Sequence, residues 1–169
     1  SDVCSSDLSN NPVCFIENEK LYGFKDEVQE GELVIPIGQS RIRREGTDVT
    51  LIANSASTHV ALGAAGKLEA NGVSAEVIDL RTIKPLDIPA ILASVAKTNR
   101  VVIVEENKPF AGWGAQVAYE IQHRSFDDLD APIERVTGLD TPQPYAKVLE
   151  QAVMPSEERV VEAAQKTLS

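Results

Sequence analysis

The sequence is poor in the residues that bind metals or act as nucleophiles. Its 169 residues include two cysteines, Cys4 and Cys14, and two histidines, His59 and His123. Neither histidine lies near a cysteine or in a His-x-x-x-His pair, and protein metal sites need such clusters of ligands. We therefore predict no metal site. The cysteines lie in an irregular N-terminal stretch, which fits reduced thiols in a cytosolic chain, with one disulfide as the alternative.

Positive charge is also scarce. The chain has 16 Lys and Arg against 26 Asp and Glu, so its formal net charge is −10 and its pI is near 4.7. This balance argues against nucleic acid or an anionic membrane surface as a partner and favours a basic partner. No apolar run approaches the ~20 residues of a membrane helix, and no secretory leader is visible. The length of 169 residues predicts one domain, and a hydrophobic fraction of 43% allows a sizeable core.

Phosphate-binding motifs are incomplete. The stretch VVIVEENKPFAGWGAQVAYEI (101–121) reads as a strand, a Gly turn and a helix, the arrangement found in dinucleotide-binding proteins. Gly112 and Gly114 fit the first two positions of Gly-x-Gly-x-x-Gly, but Val117 takes the third. No Gly-Lys-Ser/Thr and no Gly-x-Ser-x-Gly is present. We predict that the glycines allow a tight turn, with a weak anion site at the helix N-terminus as the alternative.

Two acids and a tryptophan surround this turn. Glu105 and Glu106 precede it at the carboxyl end of a predicted strand, where α/β proteins place functional groups. Their negative charge opposes a bound phosphate. They either pair with cations of a neighbouring subunit or face water, and Trp113 covers either the core or an interface. We therefore treat Glu105, Glu106 and Trp113 as possible interface residues.

Strands alternate with helices from residue 48 onwards. Strands are predicted at 48–54, 74–80, 100–106 and 131–138, and helices at 57–72, 88–98, 112–125 and 156–168, with a helical stretch near Tyr145. Such alternation requires crossover connections and a mostly parallel sheet covered on both faces. The predicted fold is a three-layer αβα sandwich, with Ala-rich helices that pack closely on the sheet.

The first 47 residues lack this regularity. Residues 1–10, SDVCSSDLSN, have no periodicity and look foreign to the rest of the chain, so they are not part of the predicted fold. Residues 11–47 combine short extended segments with a polar connection. Within it, Arg41, Arg43 and Arg44 either bind an anion or lie on a solvated edge strand.

Several stretches resemble a known protein family. They are EVIDLRTIKPLD (76–87), VVIVEE (101–106) and LDAPIERVTGLDTPQPYAKVLE (129–150), within which the run Val-Thr-Gly-x-Asp-x-Pro-x-Pro-Tyr-Ala (136–146) is long and specific. They are similar to the C-terminal domain of the β subunits of thiamine-dependent 2-oxoacid dehydrogenases, most closely those of the pyruvate type. Residues 11–23 resemble the segment that leads out of the preceding domain of that subunit. The resemblance implies a transketolase-type C-terminal domain.

The resemblance also implies what the sequence leaves out. The family's N-terminal domain, which contacts the aminopyrimidine of thiamine diphosphate and carries the activating Glu, has no counterpart here. The diphosphate and its Mg bind on the α subunit. We therefore expect a foreign tail at 1–10, a linker from the missing pyrimidine-binding domain at 11–47 and a transketolase-type domain at 48–169. We expect no catalytic or cofactor-binding residue in this fragment, whose parent enzyme would decarboxylate pyruvate and transfer the acetyl group to lipoyl groups.

In this family such a domain serves assembly. The resemblance implies contacts with the dehydrogenase α subunit, with a second β subunit and with the basic subunit-binding domain of the dihydrolipoyl acyltransferase. Asp130 matches the position at which the family offers an Asp to that basic domain, and Ser169 matches the terminus whose carboxylate shares the contact. Alternatively, Asp130 is a turn or cap residue before Ala131 and Pro132. The two roles are compatible, and the acidic charge suits a basic partner.

Other functions stay open as alternatives. Acetoin and branched-chain 2-oxoacid dehydrogenases share this architecture. A free-standing, non-catalytic interaction module is a second class. A flavodoxin-like nucleotide-binding domain is a third class, although NSASTH (54–59) offers no glycine for a phosphate loop. The expected compartment is the bacterial cytoplasm, or the mitochondrial matrix if the source is a eukaryote.

Overall fold

The computed structural model describes residues 9–25 and 34–169, so Cys4 and most of the predicted tail lie outside it. Within these ranges the chain forms five strands and five α-helices. The strands are β1 Arg41–Arg44, β2 Val49–Ala53, β3 Ala75–Asp79, β4 Val101–Val104 and β5 Glu134–Val136. The helices are α1 Ala56–Ala70, α2 Ile88–Thr98, α3 Trp113–Arg124, α4 Lys147–Val153 and α5 Glu157–Leu168, and short 3₁₀-helices cover Glu19–Gly23 and Phe126–Asp128.

The strands form one sheet in the order β1-β3-β2-β4-β5. β3, β2, β4 and β5 are parallel, whereas β1 runs antiparallel to β3 at one edge. Every residue of β2 and β4 is buried, because these strands lie in the middle of the sheet and are covered on both faces. The predicted three-layer α/β sandwich with a mostly parallel sheet is therefore confirmed.

Hydrophobic side chains fill the space on each face of the sheet. On one face α1 and α5 pack against the strands, and the buried Ala61, Ala64 and Ala65 of α1 allow the helix to approach closely. On the other face α2 and α3 contribute Ile91, Val95, Val117 and Ile121. Burial of each large aliphatic side chain contributes roughly 1.5–3 kcal/mol. These two clusters hold the helices in place. They therefore also fix the loops at the carboxyl and amino ends of the strands, which are called the carboxyl edge and the amino edge of the sheet.

The sheet begins earlier than the predicted domain boundary at residue 48. β1 lies within the stretch interpreted as linker and hydrogen-bonds to β3. Its arginines meet acids of the same chain, because Arg43 lies 3.9 Å from Asp79 and Arg44 lies 2.8 Å from Glu69. Arg43 and Arg44 therefore belong to an edge strand, one of the two alternatives given by the sequence.

A buried polar cluster ties α2 to the sheet. Glu76 on β3 is fully buried, accepts a 2.5 Å hydrogen bond from the Ser94 hydroxyl and pairs with Lys97. The hydroxyl oxygen of Thr50 lies 2.6 Å from those of both Ser94 and Thr98. The hydrogen bond to Glu76 raises the pKa of Lys97. Because the loss of one partner would leave a charge buried and unpaired, this cluster constrains how α2 sits on the sheet.

Helices α1 and α5 also meet through charged groups at the surface. Lys67 Nζ lies 3.0 Å from a carboxylate oxygen of Glu157 and 2.5 Å from one of Glu158. Gly63 makes room for this contact, because a Cβ there would lie 2.3 Å from Glu157 Oε1. The hydrogen bond from Lys67 lowers the pKa of Glu158 to about 2.

We predict that Lys67→Met lowers stability at neutral pH and that this difference from the wild type shrinks in acid. The folded-state pKa of Glu158 is about 2, below its ordinary value of about 4.3. The stabilisation is therefore fully present above the ordinary pKa and is lost as the pH falls through the folded value. Urea midpoints of both proteins from neutral to acidic pH measure the difference. A difference that stays constant over this range would contradict the assignment.

Candidate functional site

The Gly turn holds a carboxylate that belongs to the chain itself. Glu105 follows β4, is fully buried and accepts a 3.0 Å hydrogen bond from the backbone N–H of Gly114 in the first turn of α3. A Cβ at Gly112 or Gly114 would lie 2.6 or 2.5 Å from this carboxylate. Both glycines are therefore needed for the helix to start directly over Glu105. A helix N-terminus attracts an anion through its free N–H groups, and here Glu105 is that anion.

The cation beside Glu105 is Arg135 on β5. Its Nη2 lies 2.5 Å from Glu105 Oε1, and its Nη1 donates to the carbonyl of Pro109 at 3.1 Å. The Arg135 side chain is only 23% exposed, so the pair is largely removed from water. The structure thus places Glu105 in the interior beside a cation of its own chain, whereas the sequence left open the cations of a neighbouring subunit or water. Arg135 could not be found from the sequence, because no local pattern connects residues so far apart.

Glu106 and Trp113 lie beside this buried pair. Glu106 is half-buried and accepts a 2.7 Å hydrogen bond from Nδ2 of Asn18, in the N-terminal segment. Trp113 is half-buried and packs against the hydrophobic cluster under α2 and α3. Each therefore has a contact within the chain as well as some exposed surface. Their participation in an interface stays a prediction.

Gly114→Ala should destabilise the domain by about 1–3 kcal/mol, because the added methyl group would overlap the Glu105 carboxylate. Gly66→Ala is a matched control, since Gly66 lies within α1 with nothing within 4 Å of its Cβ position. That change should leave stability unchanged or raise it by about 0.5–1 kcal/mol. Chemical denaturation of both variants measures the difference. Equal stability of the two variants would show that Glu105 does not lie against the turn.

Glu105→Ala should cost about 3–5 kcal/mol, because it leaves Arg135 without its counter-charge and the α3 N-terminus without its anion. A small carboxylate such as formate should restore part of this loss by entering the vacated space. The measurement is the rise in Tm caused by formate, compared with chloride at the same ionic strength. The rise should be larger in the variant, and equal rises in variant and wild type would contradict the assignment.

A second candidate site lies at the opposite edge of the sheet, where β4 and β5 begin. The Asp130 carboxylate lies 3.1 Å from Nη2 of Arg100, and the Asp130 N–H donates to the carbonyl of Asn99 at 2.9 Å. Nε of Arg100 donates to the carbonyl of Thr167, in the last turn of α5, at 2.9 Å. Ser169 follows this turn and is exposed. Arg100, which the sequence analysis did not single out, thus connects Asp130 with the helix end that carries Ser169.

A shallow depression lies next to Asp130. It has a volume of about 350 Å³ and is lined by Gln122, Phe126, Leu129, Asp130, Ala131 and Pro132. The Phe126 ring is 62% exposed, and Asp127 and Asp128 follow it in the 3₁₀-helix. One acidic side chain, that of Asp130, therefore borders a mostly apolar floor. This combination suits a basic surface that also presents an apolar side chain.

The described residues contain neither a candidate metal site nor a membrane-spanning helix. No group of three or more His, Cys, Asp or Glu positioned to hold a metal occurs among the described residues. Within those residues, no helix combines the length and apolar character needed to span a membrane. Cys14 is a free, exposed thiol, whereas Cys4 lies outside the described ranges.

The geometry by itself defines a class of protein. It is a three-layer α/β domain with an acidic surface at the amino edge of the sheet. At the carboxyl edge, the N-terminus of α3 is occupied by the chain's own Glu105 carboxylate. The family model for the transketolase C-terminal domain matches residues 38–160, and the chain belongs to that family.

Curated relatives agree with this family. The pyruvate dehydrogenase E1 component subunit beta of Rickettsia felis is 52% identical over 157 residues, which cover 93% of this chain and 48% of the relative. The mitochondrial subunit of the same name from Caenorhabditis elegans is 47% identical over 165 residues, with 95% and 47% covered. The chain therefore spans about half the length of these relatives.

A solved structure is similar over most of the fold. A split-gene transketolase, determined as an inactive β4 tetramer, superposes with a TM-score of 0.72 at 31% identity. The match covers 85% of this chain and 45% of that chain. This similarity extends the family assignment from sequence to three-dimensional structure.

Proposed function

We propose that this chain is the C-terminal part of a pyruvate dehydrogenase β subunit and that it acts there as an assembly domain. Its parent enzyme would oxidatively decarboxylate pyruvate and transfer the acetyl group to lipoyl groups. This part of the subunit would dock the basic subunit-binding domain of the dihydrolipoyl acyltransferase through Asp130 and Ser169. The observation that carries the docking proposal is that Arg100 connects Asp130 with the end of α5.

Thiamine diphosphate does not fit the N-terminus of α3. The place where an α/β domain would hold a diphosphate is the helix N-terminus after a central strand. At α3 this position is taken by Glu105, which accepts the Gly114 N–H and pairs with Arg135. A diphosphate there would meet a buried carboxylate instead of free donors. We therefore propose that thiamine diphosphate and Mg bind to other parts of the parent assembly, and no catalytic step is assigned to these residues.

The charge of the chain supports a basic partner. The formal net charge of −10 would accelerate the approach of a cationic domain through long-range attraction. Asp130 gives the shallow depression a negative charge, and Phe126 adds apolar contact area there. Complementary charge of this kind increases association rates and selects partners.

Further contacts with subunits of the assembly are also proposed. Large apolar side chains are exposed on the carboxyl side of the sheet and on α4, among them Phe110, Tyr145, Val148 and Leu149. Clusters of exposed apolar residues indicate surfaces that other polypeptides cover. We propose that the dehydrogenase α subunit and a second β subunit are the proteins that cover them. The parent assembly would lie in the cytoplasm of a bacterium or in the mitochondrial matrix.

Asp130→Asn tests the docking role. We expect it to weaken binding of the subunit-binding domain by less than the roughly 2–5 kcal/mol of a buried charge pair, because Asp130 is at a rim rather than buried. Calorimetric titration of the complete β subunit, assembled with its α subunit, measures the dissociation constant at low and high salt. Asp127→Asn is the matched control, since it removes the same charge from an exposed neighbouring position.

The control separates a specific contact from general attraction. If Asp130 binds the partner directly, the control variant should lose far less affinity than Asp130→Asn, and both should share the salt dependence. Equal losses in the two variants would mean that only net charge matters. Unchanged dissociation constants in both would remove Asp130 from the docking site.

A further inference from the structure

We propose that the N-terminus of α1 binds the phosphoryl group of a small phosphorylated molecule, in the crevice outside the carboxyl ends of β2 and β4. The donors would be the backbone N–H groups at the start of α1 together with the hydroxyls of Ser57 and Thr58. This site lies at the opposite edge of the sheet from the proposed docking surface and does not depend on the docking function.

The first observation is the place of α1 in the sheet. α1 leads from β2 to its neighbour β3 on one side, whereas α3 leads from β4 to β5 on the other side. The two helices lie on opposite faces of the sheet. The carboxyl ends of β2 and β4 are adjacent, with Ala53 paired to Val104. This is the topological switch point, the place at which open α/β sheets bind ligands, and the N-termini of α1 and α3 border it.

The second observation is that only one of these two helix N-termini is filled by its own chain. At α3 the position belongs to Glu105. α1 has no acidic residue in its first turn, and Ser55 before it has a φ of 50° and makes no capping hydrogen bond through its side chain. Within the described ranges, the N–H groups of Ala56 and Ser57 donate to no acceptor. These donors therefore stay free, at the end of the helix that attracts an anion.

The third observation is a pair of buried hydroxyls in the same turn. Ser57 is 1% exposed and Thr58 is 3% exposed, and neither hydroxyl has a hydrogen-bond partner among the described residues. Buried polar groups nearly always have a partner, because an unpaired one costs free energy. Since the Cα–Cβ bonds of a helix tilt toward its N-terminus, both hydroxyls lean toward the free N–H groups. Unsatisfied backbone and side-chain donors therefore converge on one place.

The number and kind of these donors favour a phosphoryl group. Two N–H groups and two hydroxyls provide four donors, and a phosphoryl group presents three strongly accepting oxygens, whereas a carboxylate presents two. The positive end of the α1 dipole adds attraction for the anion. Ser55 is exposed, so the entrance faces solvent. His59, also exposed, stacks on Phe24 with 4.6 Å between the ring centroids, so an aromatic pair lies beside this entrance.

Hydrogen exchange measured by mass spectrometry tests the site in the full-length protein that contains this chain. Thiamine diphosphate and Mg are present in excess throughout, so that the probe, inorganic phosphate, does not compete for the cofactor site of the proposed parent enzyme. Phosphate should slow exchange in the peptide 54–60 to a saturable extent, and chloride at the same ionic strength should not. The peptide 112–118, at the start of α3, should respond to neither anion, because Glu105 already occupies that helix N-terminus.

Variants separate phosphate binding from a structural role. Ser57→Ala and Thr58→Val should each raise the phosphate concentration for half-maximal protection about tenfold, as expected for a hydrogen bond to a charged group. Both should be at least as stable as the wild type in phosphate-free buffer, because the hydroxyls they remove have no partner. Thr58→Ser keeps the hydroxyl and should bind phosphate like the wild type. Ser156→Ala is the matched control, since the Ser156 hydroxyl caps α5 by accepting the Arg159 N–H at 3.3 Å. It should lower stability and leave phosphate binding unchanged.

Saturable protection that is confined to 54–60 and weakened by both hydroxyl deletions would establish the site. Absence of protection, or equal protection in the deletion variants and the wild type, would overturn it. Peptide 54–60 that is already protected before phosphate is added would show that another group, a protein segment or the cofactor, occupies the helix start. Equal protection by acetate would assign the position to a carboxylate. A loss of stability in phosphate-free Thr58→Val would show that the hydroxyl serves the fold.

Discussion

The arrangement of the carboxyl edge of the sheet depends on one buried carboxylate. The backbone N–H of Glu105 donates to the carbonyl of Val136 at 3.0 Å, and its side chain meets Gly114 and Arg135. One residue thus connects β4 with β5 and with the first turn of α3. Because a charge removed from water must be paired and hydrogen-bonded, these partners are required together. The need for Gly112 and Gly114 follows from the same constraint.

This carboxylate also affects where function can reside. In open α/β sheets, ligands bind outside the carboxyl ends of the strands, near helix N-termini. In this chain the α3 N-terminus is satisfied internally, so that donor set is not available to a phosphate. The proposed docking surface lies at the other edge, where the amino ends of β4 and β5 meet the end of α5. The proposed docking surface therefore lies at the opposite edge from the one at which nucleotide-binding proteins of similar architecture bind their ligands.

Local patterns predicted the fold well and the sites only in part. Continuous apolar runs and Ala-rich helical stretches are sufficient to predict buried parallel strands with helices on both faces. The pairs Glu105–Arg135, Glu76–Lys97 and Arg100–Asp130 could not be predicted, since each joins residues that only the folded sheet brings together. The incomplete Gly-x-Gly-x-x-Gly pattern correctly drew attention to α3. However, the sequence has no signal to show that the preceding acid is the anion held there.

An arginine–carboxylate pair lies at each of these two edges of the sheet. The two pairs differ in how far their carboxylates are exposed to water. Glu105 is completely buried, and its pair with Arg135 is therefore largely removed from water. Asp130 is more than half exposed, so a cation from solvent can approach it while Arg100 stays bonded. A carboxylate has room for several hydrogen-bond donors. Exposure of the acid, rather than the presence of an ion pair, is therefore the property that separates the pair in the proposed docking surface from the buried pair.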